Sequence, residues 1–550
     1  MPSVRRGPLT LLLVAGLVLL AAGWVRAATP GQPGDARYVE AVVGVPSRVN
    51  PHVEPANEAE ADLAALVFGG LMRLRADGAP EPELAQRWEV TPDGLTYTFH
   101  LRPGVSWQDG AAFDAGDVAF TIARIQSESF EGSAALRAEW AGVQVFVADS
   151  LTVLIRLPEP AADFLVRATV GLLPEHLADR MARSGSFETP PFDRDPVGTG
   201  PYRLIALEDG RAVLEHNTSY VLGTPDIARI ELRFAEDATE QAQMLRDGAV
   251  DAALLPAAGS ETTIEALRED GAAVDLLHGD SYTVLYLNNS RSPLTEAVLR
   301  RAILASIDPA AALQAAGSNA LAGGGVVVPG SWAHPAIEDG AAGTGGTDGT
   351  DGTDSDADTP GAPPDLDALW DATGWERGPG GLRQRGGQPL TLELVTNGQE
   401  DRVALAQALA DQLGAQGVTV QVIAQPAQRV ISDYLRTASY DLALFGWEAG
   451  ADPDPYTGWH TSQIGAGNVA AFSDQEADAL LEAARTTLDV AERRDLYAQF
   501  LDRFEELGAS RVVAYPQRAY VHPEGLRGFV TRILSSPSSR FQDVHLWRLD

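Results

Sequence analysis

The residues best suited to chemistry cluster in a loop after the strand-like segment Tyr440 to Trp447. The loop is rich in carboxylates, aromatic rings and prolines: Gly446-Trp447-Glu448, Asp452-Pro453-Asp454-Pro455-Tyr456 and Trp459-His460. Ligands of α/β proteins usually bind just beyond the carboxyl ends of strands, so this loop is a candidate ligand site. A proline-rigid turn with aromatic rings packed beneath it is the alternative. The local pattern favours neither interpretation.

Signatures of catalysis are missing from the sequence. It contains no Gly-x-Ser-x-Gly elbow, and Gly198-Thr-Gly200 lacks the third glycine and the helix of a dinucleotide-binding loop. All 41 basic residues are arginine and there is no cysteine, which excludes lysine- and cysteine-dependent chemistry. The nine histidines show no metal-ligand spacing. We predict no catalytic residue, cofactor or metal site, although an acid-base pair hidden among the 76 carboxylates stays open.

The first 27 residues have the features of an export signal. Arg5 and Arg6 precede an apolar run from Leu9 to Gly23, and Val25-Arg26-Ala27 supplies small residues around a cleavage point. The run has 15 residues, whereas a membrane-spanning helix needs about 20, so cleavage is favoured over an uncleaved anchor. The lipid-bearing cysteine of many exported receptors is absent. We predict an exported periplasmic or extracellular protein without a lipid anchor.

Length and charge limit the class of protein further. A chain of 550 residues with 45% apolar residues is long enough for two or three globular lobes. Its formal net charge of -35 argues against nucleic acids and anionic membranes, because phosphate binding needs clustered basic residues. We therefore expect no nucleic-acid partner and a solvated acidic surface.

Helix-like and strand-like segments alternate along the chain, which predicts mixed α/β lobes. Leu95 to Leu101 alternates apolar and polar residues as a half-buried strand does, and Asp114 with Asp117 can cap the next helix. A helical stripe from Val403 to Leu413 is followed by glycine and the strand-like Val418 to Val422. Two helices, at about 474–488 and 490–507, precede a strand at 511–515.

One segment has a different composition from the rest of the chain. Gly340 to Pro364 consists almost entirely of Gly, Thr, Asp, Ala and Pro, with a short Gly-Thr-Asp repeat. Such a segment cannot bury a core, so we predict a disordered insertion at 340–364. Calcium binding is disfavoured, because the triplet lacks the apolar position of the nonapeptide calcium repeat.

A series of short motifs resembles the bacterial extracellular solute-binding proteins of family 5, the dipeptide, oligopeptide and nickel class. The motifs occur in the order of that family from about Tyr38 to the C-terminus: Val49-Asn-Pro51, Val67-Phe-Gly-Gly-Leu71, Pro82-Glu-Leu-Ala85 with Trp88, Leu95 to Gly104, Leu173-Pro-Glu-His176, Pro196-Val-Gly-Thr-Gly-Pro-Tyr202, Tyr286-Leu-Asn288, Arg300-Arg-Ala302, and Gly446-Trp447 with Asp454-Pro455. Each motif is weak alone, and their common order carries the resemblance.

The resemblance implies an α/β, type II periplasmic-binding-protein fold, with two ligand-gripping lobes joined by a hinge plus an extra α/β domain. The first lobe would hold 36–71, 196–287 and 520–550, the extra domain 72–195, and the second lobe 288–519. It also implies the substrate-binding component of an ABC importer, a monomer that delivers a peptide-like solute to permease subunits. Alternatives are a secreted hydrolase on a similar framework and a receptor for signalling or chaperoning without an importer.

The resemblance also implies binding residues on both lobes. In peptide-binding members the Gly-Trp segment and a segment after the Asn-Pro motif contact the peptide main chain, which corresponds here to Gly446, Trp447 and Glu448 and to the stretch containing Glu54, Asn57 and Glu58. Peptide binders that grip a free amino terminus have an aspartate three residues after the tryptophan, where this chain has Gly450. Asp452 or Asp454 is the expected substitute, and a sugar, an opine or another solute is the alternative ligand.

Overall fold

The structure is a computed structural model that describes residues 37–181, 191–335 and 365–550. The predicted signal peptide, 1–27, and the predicted insertion, 340–364, lie outside the described residues. Two large sheets and one smaller sheet, each with its own apolar core, account for most of the described chain. None of the helices in these ranges is long and apolar enough to cross a membrane.

The first lobe is built on a seven-stranded sheet. Its strands run in the spatial order Ala272–His278, Gln517–Pro523, Ala252–Pro256, Arg37–Val43, Arg229–Ala235, Arg211–His216 and Tyr202–Glu208. The central strand Arg37–Val43 is parallel to both neighbours, and the outer pairs are antiparallel. The α-helices of this lobe are Glu58–Val67, Ala238–Arg246 and Glu261–Glu269. Apolar side chains of the helix Glu58–Val67 pack with Tyr38 and Trp547 in the main core.

The second lobe is built on a six-stranded sheet. Its strands follow the order Leu321–Ala322, Ser510–Tyr515, Ser281–Leu287, Leu442–Glu448, Thr391–Asn397 and Thr419–Gln425. Its longer helices are Ala297–Ala305, Pro309–Ala315, Leu366–Ala372, Glu400–Ala415, Gln475–Thr486 and Val490–Glu506. Side chains of a strand point alternately to opposite faces, so Leu442 and Leu444 enter one core and Ala443 enters the other. Both faces of this sheet are therefore buried.

The extra domain holds a four-stranded antiparallel sheet. Its order is Ala85–Val90, Thr96–Leu101, Thr152–Arg156 and Gln144–Asp149, and it packs on the helices Ala115–Gln126 and Ala134–Glu139. The predicted strand near Leu95 to Leu101 is confirmed, with its apolar residues buried. The predicted cap is also confirmed, because Asp114 and Asp117 form a reciprocal capping box. A two-stranded hairpin, Met72–Leu74 with Pro80–Pro82, precedes the sheet.

The chain crosses between the two large sheets at other positions than predicted. The strand Ser281–Leu287 belongs to the second sheet, although the predicted first lobe extended to 287. The strand Gln517–Pro523 belongs to the first sheet, whereas the predicted return was at 520. Apolar periodicity reveals that a segment is a strand, but hydrogen bonds to distant strands decide which sheet the strand joins.

Candidate functional site

The strand Leu442–Glu448 positions three of the candidate residues at its carboxyl end. Gly446 and Glu448 lie on the same face of the strand as the buried residues Leu442 and Leu444, but both are exposed. Trp447 points to the opposite face and is half-buried. The strand therefore presents a backbone and a carboxylate on one face and an aromatic ring on the other.

An arginine that the motif series did not identify lies beside Gly446. A Cβ atom at position 446 would lie 3.9 Å from Nη2 and 4.0 Å from Nη1 of Arg402. Arg402 belongs to the first turn of the helix Glu400–Ala415, which starts without a side-chain cap from Gln399. The helix begins near the carboxyl ends of the parallel strands Thr391–Asn397 and Leu442–Glu448, where α/β proteins bind ligands.

Arg402 is a half-buried cation that forms no ion pair with the other described residues. Its Nη1 is shielded from solvent and has no hydrogen-bond partner among the described residues. Burial lowers the pKa of the Arg402 guanidinium, while the charge of Asp401 opposes this effect. A cation in the first turn of a helix also opposes the helix dipole. A basic residue in the first turn of a helix that directly follows a strand is the sequence signal that could have identified Arg402.

Trp447 is held by its neighbours on the other face of the strand. It pairs with Tyr282 across the antiparallel ladder. A Cβ atom on Gly458 would lie 3.3 Å from Cζ2 of the indole, so the ring packs closely on the loop. The ring therefore packs on the turn, as one of the two interpretations of the loop expected, and ligand binding by the loop stays a prediction.

A second carboxylate lies next to Glu448 where the chain enters the second lobe. The backbone N–H of Ala449 donates to the carbonyl oxygen of Asp280 at 3.1 Å, which places Asp280 beside the end of the strand. Burial, followed by the charge of Glu448, raises the pKa of Asp280 to about 6, and the nearby backbone of Gly450 acts in the opposite direction. Asp280 was also missed, although His278-Gly279-Asp280 separates two strand-like segments.

The two aspartates proposed as substitutes have internal partners. Asp452 accepts two hydrogen bonds from Arg493, at 2.8 and 2.6 Å, in a largely buried ion pair. Asp454 accepts from the backbone N–H of Tyr456 at 3.0 Å and lies 3.1 Å from Nε of Arg485. Burial raises the pKa of Asp454 to about 6, and the charge of Asp452 acts in the same direction. These contacts hold the loop in shape.

The candidate residues of the first lobe lie at the start of the helix Glu58–Val67. Asn57 is its N-cap, accepting from the N–H of Glu60 at 3.0 Å and donating to the carbonyl of Val45 at 3.1 Å. Glu58 pairs with Arg518 at 2.7 Å, and Glu54 is exposed. Glu54 therefore has the most accessible of these side chains.

Both lobes contribute to a cavity of about 290 Å³. Ala61, Ala64 and Ala65 of the helix Glu58–Val67 line one side, and Ala451 of the second-lobe loop reaches the other. None of the residues 54–58 and 446–448 lines this cavity. Its nearest lining residues along the chain are Ala61, one helical turn after Glu58, and Ala451, three residues after Glu448. Within the described ranges, no three His, Asp or Glu side chains are grouped to hold a metal ion.

Curated relatives of this chain are similar over most of its length. It is 28% identical to protein XP55 of Streptomyces lividans over 446 residues, which cover 79% of this chain and 76% of that protein. It is 24% identical to the oligopeptide-binding protein AppA of Bacillus subtilis over 515 residues, covering 92% and 90%.

The fold is shared with solved structures of binding proteins. The structure of HbpA2 from Haemophilus parasuis superposes with a TM-score of 0.76 at 19% identity, covering 94% of this chain and all of that one. This likeness confirms the predicted α/β type II fold. Residues 79–468, well over half of the chain, match bacterial extracellular solute-binding proteins, family 5 Middle. The chain therefore belongs to family 5 of the bacterial extracellular solute-binding proteins.

Proposed function

We propose that this protein is the substrate-binding component of an ABC importer, which captures a peptide or peptide-like solute between its lobes and delivers it to a membrane permease. Membership of family 5 supports the class, and the similarity to an oligopeptide-binding protein supports the ligand. We further propose that the protein acts outside the cytoplasm as a monomer and catalyses no reaction.

The unpaired guanidinium of Arg402 is the observation that carries the ligand class. A shielded guanidinium N–H without an acceptor is unfavourable, and a ligand carboxylate beside Gly446 would supply one. The exposed backbone of Gly446 offers main-chain hydrogen bonds to an extended ligand, as an added strand would. Arg402 therefore favours a solute with a carboxylate.

Negative charge two residues further along the strand favours a zwitterion. Glu448 lies two residues beyond Gly446 on the same face, about 7 Å along a strand, and Asp280 lies beside it. Carboxylates at this distance from Arg402 suit an amino group on the same ligand. We propose that Asp280 and Glu448 supply the negative charge that Gly450 cannot, while Asp452 and Asp454 support the loop.

Closure of the lobes follows from where the binding groups lie. Trp447 and Arg402 belong to the second lobe, and Glu54, Asn57 and Glu58 belong to the first. A ligand that contacts both groups binds the closed arrangement more tightly than the open one, and it can shift the equilibrium only by this difference. The permease would then recognise the closed arrangement.

Calorimetry with matched peptides tests the proposed ligand class. Trialanine with free termini should bind reversibly with one site, and N-acetyl-trialanine amide should bind at least tenfold more weakly because both charges are removed. Native mass spectrometry of the purified protein would identify a retained solute. Equal binding of the two peptides, or release of alanine during long incubation, would contradict the proposal.

The transport role needs a separate experiment in cells. Deletion of the protein should reduce uptake of its ligand, and the full-length chain should restore it. Unchanged uptake would instead favour a receptor for signalling or chaperoning. Hydrolysis of a peptide or ester by the purified protein would favour the hydrolase.

A further inference from the structure

The hairpin that precedes the small sheet contacts the second lobe with its tip. The tip, residues 75–79, joins the strands Met72–Leu74 and Pro80–Pro82. The backbone N–H of Trp332 donates to the carbonyl oxygen of Asp77 at 2.9 Å. Ala79, only 6% exposed, packs in an apolar cluster with Trp332, Ala484 and Tyr497 of the second lobe. The extra domain thus shares a small core with a lobe to which it is not joined directly along the chain.

The tip is held rigidly before it reaches the second lobe. The N–H of Arg75 donates to the carbonyl of Ala79 at 2.8 Å, and the N–H of Ala79 donates to the Asp77 carboxylate at 3.0 Å. Gly78 has φ +81, a conformation that favours glycine and closes the turn. From the C-terminal segment, the N–H of Ile533 donates to the carbonyl of Ala76 at 3.2 Å. Because these hydrogen bonds hold the tip in one conformation, a movement of the extra domain would also move the tip against the second lobe.

The contact continues from the hairpin to the loop that carries the candidate ligand site. The guanidinium of Arg493 lies over the rings of Trp332 and Tyr497, at 5.2 and 5.4 Å from their centroids. The same guanidinium makes the bidentate pair with Asp452. Asp452 lies two residues after Gly450, whose backbone lies beside the Asp280 carboxylate. A continuous series of packed and charged groups thus joins Ala79 to the ligand loop, residues 449–455.

We propose that the hairpin tip is a third connection between the lobes, beside the two chain crossings, and that it positions the ligand loop through Trp332, Arg493 and Asp452. Arg493 is a positioning residue in this scheme, because it holds the loop and need not touch the ligand. The inference rests on the proposed function only in taking 449–455 as a ligand loop. The connection itself is a property of the protein alone.

Interlobe distances in the ligand-free protein test the connection. Because the chain has no cysteine, Val147→Cys on the extra domain and Ile464→Cys on the second lobe, 49% and 45% exposed, give two unique sites for fluorescent labels. Ala79→Arg places a cation against Arg493 and should broaden or shift the single-molecule distance distribution. Trp332→Leu removes the same contact from the other side and should act alike. Ala141→Arg, an equal change at an exposed position of the extra domain, should leave the distribution unchanged.

Peptide binding tests whether the connection reaches the loop. Asp452→Asn and Ala79→Arg should each weaken trialanine binding about threefold to thirtyfold. The affinity of the double variant should fall by less than the product of the two factors, because both changes interrupt the same series of contacts. Asp452→Glu keeps the charge and should restore most of the affinity. Distances and affinities equal to the wild type in Ala79→Arg would overturn the inference. If the wild type fails to bind trialanine, the peptide proposal fails, while the distance measurement still decides on the hairpin.

Discussion

The guanidinium of Arg402 and the backbone of Gly446 face each other across a gap that no side chain of this strand fills. Nη2 lies 3.9 Å from the position that a Cβ atom at 446 would occupy. Nη1 is buried without a partner. We propose that this glycine and this cation together form one binding position for a ligand carboxylate.

Arg402→Gln should weaken trialanine binding about tenfold to a hundredfold. A hydrogen bond between charged groups contributes about 1.5–3 kcal/mol. The melting temperature should stay the same or rise, because the variant removes a half-buried charge that has no partner among the described residues. Calorimetry and thermal unfolding measure the two effects. Arg436→Gln, an exposed change in the same lobe, is the control. Unchanged affinity in Arg402→Gln would remove this residue from the site.

Gly446→Leu should abolish binding without unfolding the protein. The side chain would occupy the gap in front of Arg402, whereas the methyl group of Gly446→Ala makes only an ordinary contact with the guanidinium. The exposed position of Gly446 leaves the folding core unaffected. Circular dichroism and peptide titration would show this difference. Full binding by Gly446→Leu would place the ligand elsewhere.

Trp447 should report ligand binding through its emission. Its half-buried indole lies near the carboxyl end of the strand, so a ligand bound there or a change in closure should alter its surroundings. Trp447→Phe should remove most of the emission change, and Trp447→Ala should weaken trialanine binding several-fold through lost packing. The nine other tryptophans supply a constant background. An emission change that persists in Trp447→Phe would exclude this residue as its source.

Asp280 should make both stability and binding depend on pH. Its folded pKa, about 6, exceeds the ordinary value of 3.8, so the ionised form is disfavoured in the fold and stability falls as pH rises from about 4 to 6. Asp280→Asn should therefore stabilise the protein by about 1–2 kcal/mol at pH 8 and by little at pH 4. Chemical unfolding of the wild type and the variant at both pH values measures this stabilisation. Asp454, whose pKa is also raised to about 6, is present in both proteins, so its titration cancels in the comparison.

Binding should show the opposite dependence on pH. A ligand ammonium needs the ionised Asp280 carboxylate, so the affinity for trialanine should fall as pH decreases below about 6. Asp280→Asn should flatten this profile. Titrations at pH 5 and pH 8 in both proteins test the sign, and an equal pH dependence in the variant would assign it to another group.

Arg540 should be essential for the stability of the first lobe. It donates to Glu40 at 2.6 Å and to Asp62 at 2.5 and 2.9 Å, and all three side chains are almost fully buried. Arg540→Met should cost about 3–5 kcal/mol because it leaves two buried carboxylates without their cation. Arg527→Met, which breaks an exposed pair with Asp550, should cost less than about 1 kcal/mol. Equal unfolding free energies for the two variants would contradict this account.

Local structure was largely predictable because its causes are local. The capping box of Asp114 and the alternating strand Thr96–Leu101 depend on neighbouring residues only. The predicted loop, which runs from Gly446 to His460, also lies where the strand ends. In contrast, the ion pair that engages Asp452 comes from Arg493, 41 residues further along the chain, and no spacing rule predicts it.

The sequence by itself determined the family, the α/β alternation, the lack of cysteine and lysine chemistry, and the loop in which to look for the ligand. These features depend on composition and on the order of short motifs. Only the tertiary structure decided which sheet takes the strand Ser281–Leu287, which aspartates are already paired, and that Arg402 and Asp280 lie at the same strand end. The physical reason is that pairing, burial and unpaired charge are properties of residues brought together from distant parts of the chain.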